Sequence, residues 1–150
     1  MRRVGVVRRP LRDNPVYQAY WILHVALAAV PILGGFDKLF HVVSAWEPYF
    51  GSRIARLFGV EPRALGMVVG ATEIVVGFVV AVRPTAGAYL LAIWLFAFVV
   101  DLVFAGAYVL ALSEVVLLLA ALALARLGER FPEPIRLRVP AQRIAKLRPS

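Results

Sequence analysis

Cysteine is absent from the 150 residues, which excludes disulfides, thiolate metal sites and cysteine nucleophiles. Charge is scarce: only 17% of residues are Asp, Glu, Lys or Arg, too few to cover the surface of a small water-soluble globule. Histidine occurs twice, and the chain carries no nucleophile elbow, phosphate loop, metal-ligand motif or dinucleotide fingerprint. What is abundant is apolar side chain. The hydrophobic fraction is 61%, against roughly 45–50% apolar for an average soluble domain, and mean hydropathy is +0.79. The solvent for much of this chain is therefore expected to be lipid.

The net charge of +8 would suit a nucleic-acid binder, but the placement of the charges argues otherwise. Arg2, Arg3, Arg8, Arg9 and Arg12 precede the first apolar run, and the remaining cluster runs from Arg126 through Arg148. Basic ends around an apolar body suit a membrane protein with cytoplasmic termini. No nucleic-acid partner is expected.

A spanning helix needs about 20 mostly apolar residues. Four stretches meet or approach that length, at 17–43, 65–82, 86–104 and 107–127. The first is too long for a secretory signal and lacks a small-residue cleavage site. Glu61-Pro62-Arg63 and Arg83-Pro84 bound the second, where proline and charge set helix limits. Asp101, Gly106 and the combined length of the last two stretches predict a hairpin with its turn at Ala105-Gly106-Ala107. Tyr17, Tyr20 and Trp21 on one side, with Trp46 and Tyr49 on the other, are candidate anchors at the headgroup level.

The excess of Arg and Lys outside the crossings predicts that both termini are cytoplasmic. Residues 44–64 are too polar to span. Phe50, Ile54, Leu57 and Phe58 recur there at helical spacing, which predicts a short amphipathic helix in the outer interface. The expected architecture is an all-α integral membrane four-helix bundle with that interfacial helix between the first and second crossings. Residues 1–16 form a basic cytoplasmic segment, 17–127 the transmembrane domain, and 128–150 a basic, proline-rich tail expected on anionic lipid or a partner protein.

Ionisable groups at a bilayer centre cost at least roughly 2.5–3.5 kcal/mol each on insertion scales, so each needs a partner or a purpose. Asp37 and Lys38 in the first crossing, Glu73 in the second, Asp101 in the third and Glu114 in the fourth all fall in the outer half under this topology. His41 follows Asp37 by one helical turn. One lysine cannot neutralise four acids, so some carboxyls should be protonated or solvated. Two readings stand: a polar layer that fixes helix register, with Lys38 paired to Glu73 or another acid, or a proton-linked or quinone-headgroup site. No metal site is expected. His24 and His41 lie about 25 Å apart along one helix, too far to share a haem. Gly66, Gly70 and Gly77 form a stripe on which helix backbones can approach closely.

The run Gly34-Gly35-Phe36-Asp37-Lys38-Leu39-Phe40, with Gly70-Ala71-Thr72-Glu73 and Gly77, resembles the DoxX-like family of small four-helix bacterial membrane proteins. The resemblance covers about residues 17–127 and rests on short motifs, a Gly-x-x-Lys in the first helix and a Gly-x-x-Glu followed by Gly in the second. It points to Gly35, Lys38, Gly70, Glu73 and Gly77. The absence of cysteine and the basic proline-rich tail depart from the family pattern. The resemblance implies a location in the bacterial cytoplasmic membrane and a small accessory subunit of a larger complex, one handling electrons or quinone. A quinone-interacting oxidoreductase component and a small-solute or lipid transporter are the alternatives. No complete catalytic constellation is present.

Overall fold

Apolar runs between helix-breaking residues produce four helices. The computed structural model describes residues 14–43, 59 and 61–131. Helix α1 spans Pro15–Phe40, α2 Pro62–Val82, α3 Pro84–Ala105 and α4 Tyr108–Gly128. At 1.5 Å per residue each is more than about 30 Å long, enough to cross a bilayer core. The expected amphipathic helix, with Trp46 and Tyr49, lies outside the described residues, as do the first 13 residues and 132–150.

Local chemistry explains both ends of α1 and the end of α3. Asn14 caps α1 by accepting a hydrogen bond from the Val16 N–H at 2.9 Å, and proline sits in the first turn. At the other end, His41 turns left-handed with φ of 54°, and its N–H closes on the Asp37 carbonyl at 2.7 Å. The helix therefore stops at Phe40. The sequence expectation ran on to residue 43 because Val42 and Val43 are apolar, but hydropathy does not register a backbone reversal. Gly106, with φ of 77°, ends α3 in the region that favours glycine, and the tight hairpin expected at 105–107 follows.

The outward surface is apolar along every helix. Ile22 and Leu33 of α1, Val68 and Val75 of α2, Ile93 and Phe96 of α3, and Leu112 and Val116 of α4 are each more than half exposed. Water would not tolerate so continuous an apolar belt on a monomer. The protein is a multi-pass membrane four-helix bundle.

Inside the bundle, Tyr20, Leu27, Val76, Val80, Leu91, Leu95 and Leu124 form the main core, and Phe98, Leu102 and Ala111 form a second cluster near the α3–α4 turn. The seam between α1 and α2 is tight. A methyl group on Gly35 would fall onto the Gly70 carbonyl oxygen, and one on Gly77 would lie 2.6 Å from Ile32 Cγ1. Gly66, on the same stripe of α2, is also buried. Without a hydrophobic driving force in lipid, such close backbone approach is what holds helices together. Gly87 of α3, which the sequence reading did not single out, makes the equivalent approach to the Val80 backbone.

Tyr20 differs from its expected role as a headgroup anchor. It is almost fully buried, with its ring centroid 5.4 Å from that of Phe131 and 5.9 Å from that of His24. Tyr17 and Trp21, half-buried beside it, complete an aromatic cluster joining the start of α1 to the exit of α4.

Candidate functional site

Lys38 stands in the last turn of α1, where a long cationic side chain ordinarily reaches out to the headgroups. It does the opposite here. Helical side chains lean toward the helix N-terminus, over the residue four positions earlier. That residue is Gly34, and a methyl there would still lie 3.7 Å from Lys38 Nζ and 3.6 Å from Glu73 Oε2, at ordinary contact distance. The ammonium thus turns into the bundle and meets Glu73 of α2 at 2.9 Å, with both side chains at least nine-tenths buried. The Phe98 ring centroid lies 5.6 Å from the same ammonium, within the range of a cation–π contact.

This pair borders a cavity of about 150 Å³, the size of a protein cavity known to accept benzene. Leu27, Leu91 and Leu95 make its apolar floor. Glu114 of α4 and Trp94 of α3 bring two further polar groups to the wall. The Trp94 indole Nε1 is buried and has no hydrogen-bond partner among the described residues, although buried indole N–H groups usually find one. Pro31 has no N–H for the Leu27 carbonyl one turn earlier, and both residues line the cavity.

The cavity therefore combines an ammonium (Lys38), a carboxyl group (Glu114) and hydrocarbon walls. Such a space fits one planar ring with hydrogen-bonding groups on its edge. Glu73 lies eleven residues into α2, about 16 Å along its axis. Lys38, its partner, lies only two residues from the end of α1 at Phe40.

The other members of the expected polar layer lie elsewhere. Asp37 accepts a hydrogen bond from the Val43 N–H at 2.6 Å, fastening the chain where it leaves α1. His41 is exposed just beyond that helix, and Asp101 is half-buried in α3. None of the three lines the cavity. Thr72 and Ser113 bond to carbonyls of their own helices and present no free hydroxyl hydrogen to a ligand. Among the described residues no three His, Asp or Glu side chains gather as a metal site.

His24 acts at the opposite end of the bundle. Its Nε2 lies 3.1 Å from the Val80 carbonyl and 3.2 Å from that of Ala81, so it donates to groups left without helical donors where α2 stops before Pro84. Sequence reasoning excluded a haem shared by this histidine and His41 but gave no signal for the cap, which depends on which face of α1 meets the end of α2.

Comparison with known proteins finds no matching family model, no matching curated protein and no matching solved structure.

Proposed function

We propose that this protein is a small integral membrane component of a quinone-linked assembly and that the Lys38–Glu73–Glu114 cavity holds a quinone-type ring. The observation that supports this most directly is the composition of that one cavity. It offers a donor to the ring oxygens of a quinone, through Lys38, and an acceptor to the hydroxyls of a quinol, through Glu114. Its volume suits a single six-membered ring. Lysine, glutamate and leucine bind and exchange protons but do not carry electrons, so an electron-transferring partner subunit belongs to the proposal. The resemblance to DoxX-like proteins, the location in a bacterial cytoplasmic membrane and the cytoplasmic placement of both termini are parts of the same reading.

A benzoquinone bearing a decyl tail, titrated into the protein in lipid nanodiscs, tests it. Wild type should bind saturably, and Glu114→Leu should weaken binding at least tenfold with its helix content unchanged. Absence of saturable binding to wild type would overturn the reading.

A second reading has its own observation. The buried Lys38–Glu73 pair and the Gly35–Gly70 approach bind the same two helices, as a structural register pin would. In that case Glu114→Leu leaves every functional readout of the parent complex unchanged.

A further inference from the structure

The cavity is not enclosed equally on all sides. Its floor and its ion pair are buried, whereas Val30 on its wall is 45% exposed and Glu114, Trp94 and Leu117 are partly exposed. The position of Val30 on α1 locates the opening. Ala28, Ile32 and Gly35 form the stripe of α1 that meets α2. At 100° per residue, Val30 lies about 200° around the helix from Ala28, on the side away from α2. The cavity's α4 residues, Glu114 and Leu117, complete the rim there. The seam between α1 and α2 is closed by backbone contact through glycine, but the seam between α1 and α4 has a polar-edged gap facing the membrane.

We infer that the α1–α4 seam is a lateral portal, through which an amphiphile dissolved in the bilayer places its ring in the cavity while its apolar tail remains in lipid. The volume supports this. About 150 Å³ accommodates a ring but no long chain, so a tailed ligand must leave its tail outside. The exposed wall residue is apolar, which a hydrocarbon tail can cover without loss. Among the described residues, the second core cluster of Phe98, Leu102 and Ala111 packs the bundle near the α3–α4 turn. The ring's identity as a quinone rests on the reading above; the portal does not, because lipid chains themselves can probe it.

The test uses a Trp21→Phe/Trp46→Phe background, in which Trp94 is the remaining tryptophan, in vesicles of phosphatidylcholine brominated along its acyl chains. Bromine quenches indole fluorescence on contact. Quenching of Trp94 is expected, with at least a twofold reduction in Val30→Phe and in Leu117→Phe, which narrow the portal from opposite helices. Val25→Phe, at a lipid-facing position off the cavity, should change nothing. Equal quenching in all four proteins would overturn the portal, as would its absence from the Trp94-only parent, the result expected if a partner helix or a second copy covers the seam. A decyl-tailed benzoquinone added to the same parent in ordinary phosphatidylcholine separates the two claims: lipid quenching that depends on Val30, without quinone quenching, keeps the portal and removes the quinone.

Discussion

Lys38 Nζ of α1 and Glu73 Oε2 of α2 form a 2.9 Å ion pair inside the bundle, on a lysine that stands close enough to its helix end to have reached water. The pair lies over Gly34, between helices whose backbones touch at Gly35 and Gly70. A buried pair adds little net stability over well-packed apolar side chains, but removing one partner strands the other. The pairing therefore makes the following sign prediction.

Lys38→Met should destabilise the folded protein by about 3–5 kcal/mol, because Glu73 loses its counter-charge. The double variant Lys38→Met/Glu73→Met should recover most of that loss. Reversible unfolding in mixed detergent and denaturant measures both. Equal destabilisation by the single and double variants would show that the pair's geometry, rather than the stranded charge, is what matters.

The glycines predict a contrast within two adjacent positions. Gly35→Ala places a methyl against the Gly70 carbonyl and Ile74, with no flexible side-chain end to yield on the backbone side, so it should cost about 1–3 kcal/mol as an overpacked contact. Gly34→Ala meets only ordinary van der Waals distances, and its melting temperature should stay close to wild type.

His24→Phe preserves a ring beside Tyr20 and Trp21 but removes the donor to Val80 and Ala81. Leaving a buried carbonyl unsatisfied should cost about 1–3 kcal/mol. Hydrogen exchange of the last turn of α2 should accelerate, while the α1–α2 contact at Gly35 stays protected.

The native chain contains no cysteine, so single introduced thiols report topology without background. With both termini cytoplasmic, Ala107→Cys should react with a membrane-impermeant maleimide added to intact cells, and Ser150→Cys only after permeabilisation. The reverse pattern would invert the proposed orientation.

The helices were legible because their limits are chemical: prolines 62 and 84 and Gly106 interrupt runs of apolar side chain. Asp37 and Lys38 are adjacent in sequence, and charge counting places them together. A helix turns neighbours about 100° apart, and the structure separates them into a chain fastener and a cavity wall. Lys38–Glu73 was one of several possible pairings. Trp94 gave no signal, since tryptophan is ordinary in an apolar helix and its importance lies in a buried N–H without a partner among the described residues. Pro31 and Gly34 were likewise invisible as cavity residues, because neither brings a polar side chain to it.

Photolabelling with an azido-benzoquinone in lipid nanodiscs, followed by peptide mass spectrometry, tests the binding site most directly. The account predicts label on the segments carrying Lys38, Trp94 and Glu114, displaced by excess unlabelled decyl-benzoquinone. Label spread over lipid-facing residues such as Ile22 and Ile93, and insensitive to competitor, would contradict it.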